Sequence, residues 1–509
     1  MVMLNDIVSG IGGLLGRRGA AADCAAVTLV TCDSREVRPG ALFVAVRGFS
    51  TDGHRHIDDA VNGGAVAVVC EEYPALCSQK VLYILVDDGR KALADAARIF
   101  YGDASERLMI IGVTGTNGKT TTARLITSML NSAGIPAGYI GTGLCRIGDC
   151  DIPLDRTTPE AHGLQALFSR MLSAGCRAAV MEVSSHALVL SRVYGIRFRA
   201  AVYTNLTPEH LDFHESMQQY AEAKRQLFSQ LTSDGFGVFN ADDSHAEFMA
   251  AGLSSDRIFS CSLQGAHPGG TLPGQRVNAV ISSATVDGTL AELSFRGLQM
   301  PMKVARPGSF NVMNMLEAFA VGLGLGLDPA AALDGLAGAA GVEGRMERFR
   351  SPDRSRCAIV DYAHTPDALQ KSLEALRPMT PVGSNLVVVF GCGGNRDRLK
   401  RPEMGRIAAR YADRVILTSD NPRDEDPEAI LDEIEAGMDG LAHLRISDRA
   451  EAIRRAVAGL EEGDILIVAG KGHEEYQEIA GRKLHFSDRE QLAACLENPQ
   501  ESIVTKEPA

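Results

Sequence analysis

The chain has 509 residues, of which 45% are apolar and 23% are charged, and its formal net charge is −13 with an isoelectric point of about 5.5. This composition is that of an ordinary globular protein of about three domains. The acidic balance argues against general DNA or RNA binding, which requires a basic face. The sequence shows neither the long apolar run of a membrane span nor the charge order of a signal peptide. The eleven cysteines are dispersed, as is typical of reduced cytosolic thiols. We therefore expect a cytoplasmic protein with no membrane and no nucleic-acid partner.

Residues 1–107 are predicted to form a small α/β domain. Apolar runs predict strands at 27–32, 41–46, 65–70 and 81–86, with helices at 57–62 and 90–100. Polar residues follow these strands, among them Ser34, Arg35 and His54. Ligands bind at such strand ends in α/β sheets, but turn formation alone explains these residues equally well. The segment by itself leaves both interpretations open.

The stretch Met109–Ala123, MIIGVTGTNGKTTTA, predicts a phosphate-binding loop between a buried strand and a helix. Gly115 and Gly118 allow backbone N–H groups to approach a phosphate, and the helix N-terminus adds unpaired donors and partial positive charge. Lys119 can reach the terminal phosphates, and the Thr120 hydroxyl can bind Mg²⁺. The stretch therefore indicates a nucleoside triphosphate site.

This loop departs from the general pattern G-x-x-x-x-G-K-[ST] at one position, because Val113 stands where the pattern has its first glycine. The alternative is an ordinary glycine turn. The order of strand, glycine loop and helix favours nucleotide binding over that alternative.

Alternating strands and helices continue through residues 108–343, which predicts a mostly parallel sheet with helices on both faces. The predicted strands lie at 109–113, 178–183 and 200–205, and an antiparallel excursion at 275–305. The predicted helices lie at 119–132, 162–174 and 217–232, and a further helix opens within 307–314 and runs to about 326. Glu182 and His210 follow two of these strands and are candidate Mg²⁺ ligands close to Thr120. A carboxylate suits Mg²⁺ better than an imidazole does. A helix N-cap and a helix-start residue are the structural alternatives.

The last third of the chain predicts a second doubly wound sheet, with strands at 357–361, 386–391, 414–419 and 465–469. Arg396 and Arg423 follow two of these strands, and each can hold a carboxylate through two hydrogen bonds. Side chains at the same strand ends can accept hydrogen bonds from ammonium groups, namely Asp420, Asn421 and Glu474. Together they predict a pocket for a zwitterion such as an amino acid, with a surface ion-pair cluster as the alternative.

A nucleotide site that faces an amino-acid site indicates ATP-dependent amide formation. A donor carboxylate attacks the γ-phosphate and becomes an acyl phosphate, and the amine of the amino acid then displaces phosphate. The protein contributes positioning and charge neutralisation. A hydrolase is not favoured, because Ser184-Ser185-His186 lacks the G-x-S-x-G elbow. A nucleotide-dependent binding module without enzymatic activity is a further alternative.

The chain resembles the Mur ligases over nearly its whole length. The resemblance rests on the motifs DSREVRPGALFVAVRG, GVTGTNGKTTT, MEVSSHAL, NLTPEHLDFH, GRMERF, DYAHTPDAL, GCGGNRDRLKRPEMG, DNPRDEDP and GKGHEEYQ. TGTNGKTT alone would also fit folylpolyglutamate synthases, but the DNPR segment and the N-terminal unit argue against them. The resemblance implies a UDP-binding domain over 1–107, a P-loop-type ATPase domain over 108–343 and a Rossmann-like amino-acid domain over 344–509.

The resemblance also implies roles for individual residues. The ATP contacts would be Gly115, Thr116, Asn117, Gly118, Lys119, Thr120, Thr121, Asn314, Arg345 and Asp361. The UDP-muramoyl dipeptide would be held by Ser34, Thr157, Thr158, Ser184 and Arg192. Mg²⁺ would be bound by Thr120, Glu182 and His210. Lys224, which the residues alone would leave as a solvated lysine on a helix, matches a lysine that family members carry as a CO₂-derived carbamate, which helps to bind a second Mg²⁺. The expected catalytic residues are thus Lys119, Glu182, His210 and Lys224.

For the acceptor, the resemblance implies meso-2,6-diaminopimelate, which is added to UDP-N-acetylmuramoyl-L-alanyl-D-glutamate in peptidoglycan precursor synthesis. The matching residues are Arg396, Asp420, Asn421, Pro422, Arg423, Gly470 and Glu474. Arg423 would pair the second carboxylate of diaminopimelate, which lysine lacks. Glu209 and Asn395 stand where the family commonly has Asp. A lysine-adding homologue and a ligase like folylpolyglutamate synthase are the alternatives, and we expect a monomer.

Overall fold

The structure, a computed structural model, describes residues 2–19, 25–48, 51–264, 272–339 and 341–497. These residues form three α/β units, each built on its own main sheet, and the predicted fold class is confirmed. None of the helices in the described ranges combines the length and the apolar character that crossing a bilayer needs.

The N-terminal unit has a five-stranded sheet with the order Leu14–Arg18, Leu82–Val86, Ala67–Cys70, Ala41–Val44 and Leu29–Thr31. Only the first of these strands is antiparallel to its neighbour. The helices are Leu4–Gly10, Ile57–Asn62 and Gly89–Phe100, and Val2–Met3 pairs with Ala26–Val27. The predicted strands are present in shortened form. The first helix and the edge strand were not predicted, because their segment is short and rich in glycine.

The central unit has an eleven-stranded sheet. Its order is Cys150–Pro153, Leu144–Ile147, Ala137–Gly141, Ala178–Glu182, Met109–Thr114, Phe198–Tyr203, Leu231–Asn240, Ile258–Ser262, Gln275–Thr285, Gly288–Phe295 and Leu298–Val304. The strands from Ala137–Gly141 to Gln275–Thr285 are parallel, and an antiparallel pair extends the sheet at each edge. The predicted parallel core is therefore correct, and the antiparallel excursion at 275–305 is confirmed.

Helices cover both faces of this central sheet, and each face has its own apolar cluster. The helices are Lys119–Ser132, Ala161–Ser173, Ser185–Val189, Leu211–His214, Met217–Ser229, Ala246–Ala250, Ser309–Gly324 and Pro329–Ala337. The predicted helix at 217–232 is too long, because the strand Leu231–Asn240 follows almost at once with no glycine or proline between the two.

The C-terminal unit has a six-stranded sheet with the order Glu347–Arg350, Cys357–Asp361, Ile465–Ala469, Leu386–Phe390, Arg414–Leu417 and Leu444–Arg445. The first strand is antiparallel and the others are parallel. The four predicted strands form the centre of this sheet. The helices are Pro366–Leu376, Lys400–Tyr411, Pro427–Glu435, Arg449–Ala458 and Asp488–Glu497, and Tyr476–Ile479 pairs with Arg482–His485. Short 3-10 helices in the described parts of the three units lie at Ser34–Glu36, Gly53–His56, Ala104–Arg107, Ser255–Arg257 and Arg377–Met379.

A carboxyl group lies inside the core of the central unit. Glu317, on the helix Ser309–Gly324, is fully buried, and its Oε2 accepts a hydrogen bond from the Thr122 hydroxyl at 3.1 Å. Its Oε1 has no hydrogen-bond partner among the described residues. Burial raises the pKa of Glu317 well above its ordinary value of 4.5, because the charged form is poorly solvated there. Burial therefore favours the protonated form of this carboxyl group in the folded protein.

We expect the Glu317→Gln variant to gain stability relative to the parent as the pH rises. The parent binds a proton when folded that it loses when unfolded above pH 4.5. Its free energy of unfolding therefore falls with pH by about 1.4 kcal/mol per pH unit until the raised pKa is reached. The amide has no such dependence. Denaturant unfolding at about pH 5 and about pH 8 measures the free energies of unfolding of variant and parent, and Glu247→Gln, at an exposed glutamate, is the control. A difference between variant and parent that does not vary with pH would contradict the interpretation.

Candidate active site

The phosphate loop joins the strand Met109–Thr114 to the helix Lys119–Ser132, whose first turn carries Thr120 and Thr121. Gly115 has φ +145° and Gly118 has φ +88°. A Cβ atom on Gly115 would lie 1.9 Å from Thr204 Oγ1, and one on Gly118 would lie 2.5 Å from Asn314 Oδ1. Both glycines are thus required by backbone conformation and by close approach.

Two lysine side chains meet at this loop. Lys119 Nζ donates to the carbonyl oxygens of Gly115 at 3.0 Å and Thr116 at 2.8 Å, and Lys224 Nζ donates to Gly115 O at 2.8 Å. Lys224 is only 1% exposed, so the solvated position suggested by the residues alone is wrong. Burial and the charge of Lys119 lower the pKa of Lys224 well below its ordinary value, although Glu209 opposes them. The site therefore favours an uncharged amine at Lys224.

The Glu182 carboxylate lies beside the first turn of the loop helix. Its Oε1 accepts hydrogen bonds from Thr120 Oγ1 at 2.9 Å, from the Tyr139 hydroxyl at 2.6 Å and from Thr142 N at 3.0 Å. Burial and the charge of Glu182 raise the pKa of Tyr139 well above its ordinary value, so the phenol remains a donor. The structure thus brings the predicted pair Thr120 and Glu182 together. Tyr139 and Thr142 were missed because the strand Ala137–Gly141 was not predicted.

His210 begins the short helix Leu211–His214 with φ +56°. Its Nε2 is 3.7 Å from Glu209 Oε2, and its ring centroid is 4.8 Å from that of His186. Within the described ranges, no group of three or more His, Cys, Asp and Glu side chains is arranged to hold a metal ion. The hydroxyl and carboxylate of Thr120 and Glu182 are oxygen donors of the kind Mg²⁺ prefers. The structure does not join His210 to them, so its role as a ligand stays a prediction.

The residues expected to contact the donor dipeptide lie beside Glu182, namely Thr157, Thr158, Ser184 and Arg192. Thr158 Oγ1 donates to Glu182 O at 2.9 Å and accepts from Ser184 N at 3.1 Å. Arg192 Nη1 donates to Thr158 O at 3.1 Å. The hydroxyls of Thr157 and Thr142 are 3.0 Å apart, and the Ser184 hydroxyl caps the helix Ser185–Val189. The structure therefore brings these four residues together at one strand end.

Three arginines surround the Glu160 carboxylate where the N-terminal and central units meet. Arg192 Nε lies 3.0 Å from Glu160 Oε1, and Arg90 Nη1 lies 3.8 Å from Glu160 Oε2. Arg156 also forms an ion pair with Glu160. Burial, followed by the charge of Glu160, raises the pKa of Cys32 to about 12. Since Cys32 precedes Ser34 by two residues, this strand end of the N-terminal unit faces the arginine cluster. The cluster has more positive than negative charge, which suits an anionic substrate.

The C-terminal unit also reaches the phosphate loop. Arg345 Nη2 is 3.5 Å from Thr120 Oγ1, and its guanidinium lies 4.3 Å from the centroid of the Tyr362 ring. Asn117 Nδ2 donates to Asp367 Oδ2 at 2.9 Å. Asp361 is buried, and it accepts from Met346 N at 2.7 Å and from the Ser372 hydroxyl at 3.1 Å. Burial raises the pKa of Asp361. Residues from two units thus enclose the loop. The sequence analysis assigned no role to Asp367 and Tyr362, although both lie in the DYAHTPDAL motif.

A lysine that sequence reasoning missed lies among the predicted acceptor residues. Lys471 is fully buried, and its Nζ donates to Asn421 Oδ1 and to Glu474 Oε2, both at 3.0 Å. Asn421 Nδ2 also donates to Glu474 Oε2, at 2.9 Å. Asn421 and Glu474 are thus brought together as predicted. The Lys471 ammonium group already donates hydrogen bonds to their side-chain oxygens. Lys471 is part of the GKGHEEYQ motif, so the sequence contained a signal for it.

Arg423 lies at the same end of the sheet in the left-handed conformation, with φ +52°. Its Nη1 donates to Gly394 O at 2.6 Å, and its Nε is 3.2 Å from Glu478 Oε2. Asp420 and Pro422 flank Asn421 in the same loop, and a Cβ atom on Gly470 would lie 2.8 Å from Asp420 Oδ2. Arg396 is exposed on the neighbouring loop. The ion-pair alternative is therefore correct in part, because Arg423 pairs with Glu478 at this strand end.

We expect Gly115→Ala to weaken ATP binding strongly. The added methyl group overlaps Thr204 Oγ1, and the positive φ alone costs on the order of 1–3 kcal/mol for a residue other than glycine. Gly134→Ala is the matched control, because Gly134 has φ +73° but open space around it. Titration with ATP and thermal unfolding of both variants distinguish the effect of the overlap with Thr204 from the effect of backbone strain. Equal ATP affinity of the two variants would show that the close approach at Gly115 is not needed.

Three family models match the chain: the Mur ligase family, catalytic domain over residues 26–101, the Mur ligase middle domain over 113–322, and the Mur ligase, glutamate ligase domain over 344–472. A UDP-N-acetylmuramoyl-L-alanyl-D-glutamate–2,6-diaminopimelate ligase of Chlorobaculum tepidum is 67% identical over 492 residues, which is 97% of each chain. The protein of the same name from Chlorobium phaeobacteroides is 58% identical over 474 residues, or 92% of each chain. A solved structure of a ligase with this name is 33% identical, with a TM-score of 0.65 over 93% of this chain and 95% of the other.

Proposed function

The chain belongs to the Mur ligase family, and we propose that it is the ATP-dependent ligase that joins meso-2,6-diaminopimelate to UDP-N-acetylmuramoyl-L-alanyl-D-glutamate. The observation that carries this assignment is the 67% identity with a ligase of that name over 97% of both chains. The site geometry agrees with it, since the phosphate loop lies between the predicted donor residues at Glu182 and a C-terminal unit that carries the predicted acceptor residues.

In this proposal the side-chain carboxylate of D-glutamate attacks the γ-phosphate of ATP, and ADP leaves. The amine of diaminopimelate then attacks the acyl phosphate, so that an amide forms and inorganic phosphate leaves. The loop residues Gly115 to Thr121 hold the phosphates, and Lys119 neutralises their developing charge. Mg²⁺ would supply further charge neutralisation at the phosphates when held by Thr120 and Glu182, with His210 as a third predicted ligand. No protein nucleophile takes part.

We further propose that Lys224 carries a carbamate. Its buried amine has a lowered pKa, which favours the neutral form that can attack CO₂. The new N–C bond forms as a proton leaves the nitrogen, and the product is a carboxylate-like anion. This anion would pair with the nearby Lys119 ammonium and would offer oxygen ligands to a second Mg²⁺. The convergence of both lysines on the Gly115 carbonyl supports the proposal.

On the acceptor side, we propose that Arg396, the segment Asp420–Arg423, Gly470 and Glu474 bind diaminopimelate. Arg423 would pair the carboxylate that distinguishes this substrate from lysine. Ser34 and the arginine-rich boundary at Glu160 would face the UDP-linked donor. The proposed domain boundaries at 107/108 and 343/344 assign one main sheet to each domain. A monomer in the cytoplasm is the setting we propose.

The function is tested by release of inorganic phosphate from ATP. We expect release to require both the UDP-muramoyl dipeptide and diaminopimelate, with lysine a poor substitute because it lacks the carboxylate that Arg423 would pair. Mass spectrometry of the product should show the tripeptide. Release with lysine at equal efficiency would favour the lysine-adding alternative. Release stimulated by folate and glutamate would favour a folylpolyglutamate synthase, and release indifferent to all of these would contradict a ligase.

We expect Lys224→Ala to abolish ligation, and added short-chain carboxylates to restore part of it by replacing the carbamate. Lys303→Ala, at an exposed lysine of the same unit, is the control and should retain full activity. Native mass spectrometry of the parent in bicarbonate should show an added CO₂ that the Lys224→Ala variant lacks. An inactive variant that carboxylates do not rescue, together with a parent of unmodified mass, would leave Lys224 as a structural amine.

A further inference from the structure

Two loops at the same edge of the C-terminal sheet carry the proposed acceptor arginines. Residues 391–397 follow the strand Leu386–Phe390 and include Arg396, and residues 418–426 follow the strand Arg414–Leu417 and include Arg423. The loops touch directly, since Gly394 N donates to Asn421 O at 2.9 Å. Their relative position therefore decides where the Arg423 guanidinium lies.

A single buried arginine forms hydrogen bonds with both loops. Arg401, in the first turn of the helix Lys400–Tyr411, is 0% exposed. Its Nη1 and Nη2 donate to the two oxygens of Glu425 at 2.9 and 3.0 Å, and Nη2 also donates to Gly393 O at 3.1 Å. Nη1 reaches Glu433 Oε2 at 2.9 Å. One planar guanidinium thus holds the first loop by its backbone and the second by a carboxylate.

The contacts continue from Arg401 to Arg423. Glu425 Oε1, held by Arg401, accepts a hydrogen bond from Asn395 N. Asn395 Oδ1 in turn accepts from Asp424 N at 3.1 Å. Gly394, which lies between the residues fixed in this way, offers its carbonyl oxygen to Arg423 Nη1 at 2.6 Å. A shift of the 391–397 loop would therefore move the group that orients Arg423.

Opposite charges strengthen this connection. Burial disfavours the charged guanidinium of Arg401, but the hydrogen bonds and charges of Glu425 and Glu433 leave its pKa above the ordinary value. The hydrogen bond from Arg401, together with that from Asn395 N, lowers the pKa of Glu425 to about 2. Arg401 donates to four acceptors, which exceeds the three donors of an ammonium group, and its planar fork matches the two oxygens of Glu425.

We propose that Arg401 is a positioning residue that sets the Arg423 guanidinium through Glu425 and the Gly393–Gly394 backbone, and so determines the preference for an amino acid with a second carboxylate. This inference rests on the proposed function, because it assumes that Arg423 faces the acceptor. Arg401 itself is buried and does not touch substrate.

The test compares Arg401→Lys with Arg445→Lys in the purified full-length enzyme. Arg445 is a matched control, because it also pairs with carboxylates of the helix Pro427–Glu435, namely Glu428, Asp432 and Glu435, and its side-chain contacts are with that helix. We expect Arg401→Lys to raise KM for diaminopimelate roughly ten- to hundredfold, since small displacements of a binding group have effects of this size. KM for ATP should stay within about twofold, and the preference for diaminopimelate over lysine should fall. Arg445→Lys should leave all three quantities unchanged.

Glu425→Gln provides a second test of the inference, because it keeps the shape of the side chain and removes the negative charge with which Arg401 pairs. It should reproduce the loss of preference even where Arg401→Lys does not fold. A fall in kcat with unchanged KM values and unchanged preference in the variants that fold would show a purely structural role and would overturn the inference. A parent enzyme that does not use diaminopimelate would instead overturn the proposed function, before either variant is made.

Discussion

The register of the central sheet is the constraint on which the rest of the site depends. Val113 pairs with Glu182 on one side, and Thr114 pairs with Tyr203 on the other. Because these strands are parallel, all three end at the same edge, and the phosphate loop begins there with a carboxylate beside it. Thr120 can reach Glu182 only in this register. A shift by one residue would turn Glu182 into the opposite face and would remove the oxygen pair that suits Mg²⁺.

Two lysine side chains converge on one carbonyl oxygen at this edge. Lys119 and Lys224 both donate to the Gly115 carbonyl, which offers partial negative charge only. The protein lessens the repulsion by burying Lys224, which favours the loss of its proton. Bound phosphates, or an anion formed at Lys224, would complete the balance. An excess of positive charge recurs at Glu160, where three arginines share one carboxylate. An acidic protein thus concentrates its cations where anionic substrates are expected.

Much of this arrangement is readable from the sequence, because buried parallel strands are continuous apolar runs with polar residues after them. Glu182 and Asn421 were found in this way, whereas the role of Thr158 rests on the family resemblance. The failures have physical causes. The strand Ala137–Gly141 contains two glycines and gives a weak signal, so Tyr139 and Thr142 were missed. The burial of Lys224 depends on how its helix packs, which its local pattern does not encode. Lys471 received no role from the sequence, and its complete burial depends on packing that its local pattern does not encode. The ligand roles of His210 and Arg396 were proposed from the same strand-end pattern and from the family resemblance, and they stay predictions.

Several contacts between the central and C-terminal units involve groups of the phosphate loop or close to it. Asn117, within the phosphate loop, donates to Asp367, and Arg345 approaches Thr120. Glu209 lies 3.7 Å from His364 of the C-terminal unit and 3.7 Å from His210. Although burial raises the pKa of Glu209, the neighbouring His364, His210 and Lys119 lower it overall, which favours an anion between the two histidines. A nucleotide that draws Lys119 or Asn117 toward its phosphates must change these same contacts. We therefore expect binding of a nucleotide at the phosphate loop to be coupled to the position of the C-terminal unit.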